Sequence, residues 1–227
     1  LMSYVAIGIN ILSGLVYTPW MISSIGRENF GLYTLALSVI TLFVFDFGLS
    51  NAITRYLAKY LAEGRQDKAN NCIGLVYRLY IIIDIILFII LISVFFFIPQ
   101  IYKELTPDEI EKFKVVYSMA AIYAVISFPF VPVNGVLTAH ECFFQLKLCD
   151  VFHKLIIVGA MTVCLLMGYG LYALVLVNAL AGIIIIFIKL SCIHHYTPQK
   201  ISWNYFNKAE LKEIAGYSGW VTIIALA

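Results

Sequence analysis

Apolar positions along this chain come in long runs, and charged positions collect in short stretches between them. Ser3 to Ile25 is 23 residues without a charge, long enough for the roughly 20 residues that cross a bilayer, and Pro19 near its far end predicts a bend. After the polar turn Gly26-Arg27-Glu28-Asn29, a second run from Phe30 to about Thr54 is interrupted by Asp46 alone. These are helices one and two. Arg55 to Asn71 sets Arg55, Lys59, Glu63, Arg65, Asp67 and Lys68 around Leu57, Leu61 and Ala62, the mixture of an interfacial, partly amphipathic helix that does not span.

Helix three runs from about Cys72 to Ile98, carries Arg78 and Asp84, and is expected to close at Pro99. The acidic loop Gln100 to Lys114 follows, and Thr106-Pro107-Asp108-Glu109 within it reads as a helix start. Helix four, Val115 to Ala139, is 25 uncharged residues with Pro129 and Pro132 three apart, so a kink or a break is expected. Leu155 to Ile188 is 34 residues without a charge. As one helix it would measure about 51 Å against a hydrocarbon core of about 30 Å, so Gly168-Tyr169-Gly170 is read as a turn. It separates helix five, about Lys147 to Met167, from helix six, about Leu171 to Ile193.

The resulting prediction is all-α, a polytopic transmembrane bundle of six complete spans plus the start of a seventh. Residues 1–193 form the six-helix lobe, 194–213 a cytoplasmic linker, and 214–227 the opening of a second lobe. The uncharged stretch from Ile214 to Ala227, 14 residues, is too short to span and reads as a cut inside helix seven, hence a fragment.

Composition narrows the class further. The 227 residues are 62% hydrophobic and 12% charged, with a mean hydropathy of +0.93, which excludes a disordered chain, a coiled coil and a water-soluble globule. A net charge of +2 without a dense run of Lys or Arg excludes nucleic acid as partner. The distribution of basic residues is more informative than their number. Ten lie in the two-three, four-five and six-seven links with their helix ends, against four in the other links, which places the N-terminus and the first set of links in the cytoplasm. No cleavable signal peptide is visible, so helix one serves as its own insertion signal.

Charge inside an apolar helix is the strongest pointer to chemistry, because at a helix centre it costs about 2.5–3.5 kcal/mol and persists only with a partner or water. Asp46 and Arg78 are expected at similar depth, about 10 Å from the cytoplasmic side. They outline either a polar cavity in which Arg78 meets an anionic head group, or an ion pair locking two helices, or an Arg that snorkels outward. Asp84 lies near the midplane, 12 residues into helix three. There it suits either proton coupling or a hydrogen bond within the bundle. Asn10, Asn134 and Asn178 are candidate cavity residues or helix-to-helix hydrogen bonds. Arg55, His153 and Lys154 are placed to attract phosphate, although the positive-inside rule alone accounts for Lys154. The five cysteines, without a Cys-x-x-Cys pair, read as packed thiols. With no Gly-x-Ser-x-Gly, His-Glu-x-x-His or Walker sequence, neither an enzyme nor a metal or other cofactor is expected.

Two motifs carry a family resemblance: Ile25-Gly26-Arg27-Glu28-Asn29-Phe30-Gly31-Leu32-Tyr33, and Asp46-Phe47-Gly48-Leu49-Ser50-Asn51-Ala52 with Arg55-Tyr56 behind it. The pair resembles the amino-terminal region of polysaccharide-biosynthesis membrane proteins, the Wzx-type flippases of lipid-linked oligosaccharides, in the superfamily that also holds multidrug-and-toxin extruders. The resemblance implies two six-helix lobes around a cavity that opens alternately to either side of a bacterial cytoplasmic membrane. The implied substrate is a polyprenyl-diphosphate-linked oligosaccharide, with membrane lipids and a coupling proton or sodium ion as further partners. On this reading Arg78, Arg55 and Lys154 bind substrate, and Asp46, Asp84 and Asn10 serve coupling or line the cavity. The resemblance also implies that the Asp46-Phe47-Gly48 stretch ends helix two. An ion-coupled exporter of small cations is the alternative within the superfamily, and a membrane-bound glycan ligase or acyltransferase the alternative outside it.

Overall fold

The computed structural model describes residues 7–8, 11, 13–44, 46–198, 200–203 and 205–226. A π-helical turn, Ser13–Tyr17, leads into α1 (Thr18–Ile25), and then come α2 (Arg27–Phe43), α3 (Leu49–Ala62), α4 (Gln66–Ile101) and α5 (Pro107–Ser127). A 3₁₀ turn, Phe128–Phe130, leads to α6 (Pro132–Ala139), followed by α7 (Phe143–Leu166), α8 (Leu171–Tyr196) and α9 (Lys208–Leu226). No strand occurs among the described residues, so the fold is all-α.

Four helical stretches among the described residues are long and apolar enough to cross a membrane by length and composition: Gln66–Ile101, Pro107–Ala139, Phe143–Leu166 and Leu171–Tyr196. They make this a multi-pass membrane protein. The expected first span falls partly outside the described residues, and the second is shortened to the 17-residue α2.

Helix ends follow local chemistry. The break expected at Pro129 and Pro132 is present, α5 giving way to the 3₁₀ turn before α6. Thr106 and Glu109 form a reciprocal cap on α5: the Glu109 carboxylate accepts from the Thr106 amide at 2.7 Å, and the Thr106 hydroxyl oxygen accepts from the Glu109 amide at 3.4 Å. The hairpin between α7 and α8 turns at Gly168, whose φ of +83° suits glycine, with the Tyr169 amide closing back on the Cys164 carbonyl at 3.0 Å. Pro99 does not end its helix. It sits in the last turn of α4, which continues to Ile101, so the proline disturbs little.

The chain divides into two compact units. One comprises Leu1–Val44, Ile86–Ser127 and Lys147–Ile185; the other comprises Phe45–Ile85, Phe128–Leu146 and Ile186–Ala227. The first unit is built on α2 packed along α5, with Leu32, Ala36, Val39 and Ile40 of α2 and Val116 and Ala120 of α5 buried, while Tyr117 of α5 reaches the Leu91 carbonyl of α4. Gly182 of α8 lies so close to Tyr123 that no side chain would fit there. The second unit is built on α3, whose residues Leu49, Ala52, Ile53, Tyr56 and Leu57 fall at i, i+3, i+4, i+7 and i+8 and are all buried. Part of this face packs on α6, where Gly135 leaves room for Ile53 and its carbonyl accepts from the Thr54 hydroxyl at 3.3 Å.

Candidate functional site

Four of the sequence-derived site residues, Asp46, Arg55, Arg78 and Asp84, belong to the second unit; Lys154 belongs to the first, and Asn10 lies outside the described residues.

Asp46 sits in a turn, not within a spanning helix. The helix read from Phe30 to Thr54 stops at Phe43 and restarts at Leu49, because Phe47 (φ +49°) and Gly48 (φ +68°) adopt left-handed backbone that a helix cannot contain. The Asp46 carboxylate accepts from the Ser50 amide at 3.1 Å and from the Tyr80 hydroxyl. It thereby caps the start of α3 and ties it to α4. Tyr80 is fully buried and packs on Phe128 at 5.3 Å. The Asp46–Arg78 ion pair, one of the readings open from the sequence, is not formed, since the carboxylate is taken by a phenol and an amide.

Arg78 lies on α4, half-buried, and among the described residues its guanidinium forms no ion pair and no hydrogen bond. Its neighbour is the Phe206 ring, 6.0 Å away. Phe206 belongs to the strap that joins α8 to α9, and this strap is docked along the first half of α4. The Lys200 amide donates to the Asn70 side chain at 2.9 Å and the Ser202 amide to the Asn70 carbonyl at 3.4 Å. Trp203 meets Tyr77 with ring centres 6.3 Å apart, and the Ser202 carbonyl presses on Gly74 closely enough to exclude a Cβ. An open cavity of about 650 Å³, lined by Asn71, Ile201, Ser202, Trp203 and Tyr205, runs beside the strap. The sequence reading of 194–213 as a cytoplasmic linker did not include this contact. Its signal is Asn70, Gly74, Tyr77 and Arg78 at i, i+4, i+7 and i+8, one face of α4 with a glycine where backbone must approach.

Asp84 lies six residues farther along α4, half-buried, with one carboxylate oxygen buried and without a hydrogen-bond partner among the described residues. Beside it, Leu79 and Ile83 help to line an apolar groove of about 410 Å³ between α4 and α9. The Ser218 and Thr222 hydroxyls in this groove donate to carbonyls of their own helix.

Arg55 is exposed on α3 and stacks on the Tyr217 ring of α9 at 4.4 Å. Next to it the Tyr56 hydroxyl donates to Glu213 at 3.2 Å, so α3 and α9 share a seam of aromatic and charged contacts. Burial first, then the neighbouring Cys72, Glu210 and Glu213, pushes the Tyr60 phenol up to about 12, which keeps it a neutral hydroxyl in this seam.

Asn134 accepts from the Lys189 ammonium at 3.0 Å. In the first unit Lys154 is half-buried on α7. Asn178 of α8 donates to the Tyr33 hydroxyl of α2 at 3.1 Å, the interhelical hydrogen bond that was one of its two readings. It also borders a cavity of about 270 Å³ with Thr41, Tyr123, Ser127 and His153. Cys72, Cys142 and Cys149 are buried in helix packing. No three His, Cys, Asp or Glu side chains gather as metal ligands among the described residues.

A family model described as "Polysaccharide biosynthesis protein" matches residues 1–227. No curated protein matches the chain. Among solved structures, a mutant MATE protein superposes with a TM-score of 0.79 at 15% identity, covering 97% of this chain and 50% of that one. A MOP superfamily transporter from Pyrococcus furiosus, whose binding pocket is described as having reverse polarity, gives 0.75 at 13% identity, covering 96% and 50%. A multidrug resistance MATE family transporter in an outward-facing conformation gives 0.73 at 16%, covering 96% and 50%. The likeness extends to the fold, and the chain spans about half the length of these structures.

Proposed function

The chain belongs to the polysaccharide biosynthesis protein family, and we propose that it is part of a flippase carrying a polyprenyl-diphosphate-linked oligosaccharide across a bacterial cytoplasmic membrane by alternating access, with its N-terminus in the cytoplasm. The observation that carries this reading is Arg78: a guanidinium on a long apolar helix, half-buried and without a carboxylate partner among the described residues. A cation so placed is costly unless an anion visits it. A diphosphate is such an anion, and the planar guanidinium matches phosphate oxygens two at a time. The sugar head group and its charge cannot cross hydrocarbon unaided, so a fixed cation along the route lowers the barrier.

Arg78 is assigned to the diphosphate. Arg55, whose guanidinium lies on Tyr217, and Lys154 are assigned to capture. Asp84, with an unpartnered carboxylate oxygen, is assigned to coupling with a proton or sodium ion. Asp46 contributes by holding the helix break, since both of its oxygens are engaged. Asn10 keeps its assignment as a cavity residue from the sequence alone. In the full-length protein, Arg78→Ala should lower surface glycan output at a normal protein level, with Arg78→Lys intermediate. Unchanged output in Arg78→Ala removes the role.

The same unpartnered oxygen of Asp84 favours a second reading, an ion-coupled exporter of small cations. Transport of a cationic dye that follows an imposed ion gradient and is lost in Asp84→Asn, with glycan output intact in Arg78→Ala, would select it.

A further inference from the structure

In the first unit, the second half of α4 and the facing side of α5 leave a groove of about 320 Å³, lined on α4 by residues including Phe88, Ile92 and Phe95 and on α5 by Ser118, Ala121 and Val125. Its interior offers no free polar group. The Ser118 hydroxyl donates to the Lys114 carbonyl at 2.7 Å, and the hydroxyl of Tyr117, which also borders the groove, donates to the Leu91 carbonyl at 3.0 Å. Phe88, Phe96 and Ile122 at its edges are exposed.

The end of the groove near the α4–α5 loop is charged in a definite order. Lys114 is half-buried, and its ammonium lies 5.7 Å from the Phe95 ring centre with no ion pair or hydrogen bond among the described residues. Glu111 lies one turn farther out and is exposed. Along α5 the positions Glu111, Lys114, Ser118, Ala121 and Val125 fall at i, i+3, i+7, i+10 and i+14, a single face of the helix. Passing inward, that face presents a carboxylate, then an ammonium, then an apolar floor.

We infer that this groove holds one acyl chain of a zwitterionic, amine-headed phospholipid, whose phosphate meets Lys114 and whose ammonium meets Glu111. In such a lipid the phosphate lies nearer the acyl chains than the ammonium does, so its charges run in the complementary order. A head group whose only charge is its phosphate would meet Lys114 equally well but leave the Glu111 carboxylate without a cation. The groove follows α4 for about 12 Å at 1.5 Å per residue, within one leaflet of a core about 30 Å thick, which suits a phospholipid chain and not a polyprenyl tail. The inference is independent of the transport reading, since none of these residues serves it.

The test uses the intact chain in nanodiscs of equal phosphatidylethanolamine and phosphatidylglycerol, with retained lipid read by native mass spectrometry. Phosphatidylethanolamine should be enriched by about five-fold, the worth of one exposed charge contact. The double variant Glu111→Lys with Lys114→Glu keeps the net charge but reverses the order, and should abolish the preference. Ala121→Phe should reduce retention of both lipids by filling the groove. Should that variant fail to fold, the exchange of two charges outside the groove still decides. Equal retention of both lipids by the unaltered chain, a preference for phosphatidylglycerol, or enrichment that survives the charge exchange overturns the assignment.

Discussion

Asp46 and Arg78 look alike in the amino-acid sequence, each a charge set among apolar residues, yet they sit in opposite circumstances. Asp46 occupies a helix break where amides are freed, and both carboxylate oxygens are engaged, by the Ser50 amide and by Tyr80. Arg78 occupies the unbroken helix α4, where every neighbouring carbonyl is already used, and its guanidinium lies by the Phe206 ring without an ion pair or hydrogen bond among the described residues. A charge at a break is absorbed by the backbone groups that the break releases. A charge within a continuous helix has no such local partner, and its reason must come from outside the helix.

The contrast can be broken by substitution. The largest effect is expected at Arg78→Ala, where surface glycan output should fall about tenfold or more, because a hydrogen bond to a charged group carries about 1.5–3 kcal/mol. Thermal stability of that variant should move by less than about 0.5 kcal/mol, as for a side chain without strong partners. Asp46→Ala should do the reverse, destabilising the protein by about 1–3 kcal/mol in denaturation of the purified chain, since it leaves the Tyr80 hydroxyl buried and unpaired. If both variants lost output and stability in parallel, the two charges would not differ in kind.

Gly48→Ala tests the break itself. A φ of +68° and the Ser218 carbonyl 2.9 Å from the added Cβ should cost about 1–2 kcal/mol by the same measurement. Thr106→Ala, away from both charges, removes the cap on α5 and should cost about 1 kcal/mol. A loss at Thr106 as large as that at Asp46 would mean that the Tyr80 contact contributes nothing beyond capping.

Helix type and most helix boundaries were legible because they rest on local chemistry. Pro129 and Pro132 mark the break after α5, Thr106 and Glu109 mark its start, and Gly168 marks the α7–α8 turn. The end of α2 was harder to read, since Val44 and Phe47 keep the apolar run going across a turn set by one glycine. The partners of the charged residues were illegible altogether. Asp46 is joined to a tyrosine 34 residues away, and Arg78 lies beside a phenylalanine in a segment that reads as a cytoplasmic linker.

What the chain's own pattern determined is the membrane class, the all-α fold and most of the places where helices begin and stop, because hydropathy, proline, glycine and capping side chains act within a few residues. Tertiary structure alone decided which charges are satisfied and which faces of α4 are covered. The Asn70, Gly74, Tyr77 and Arg78 face accepts a strap more than 120 residues away in the chain; the local spacing marks this face of α4 as one that backbone can approach, but which segment covers it is decided only when the chain folds.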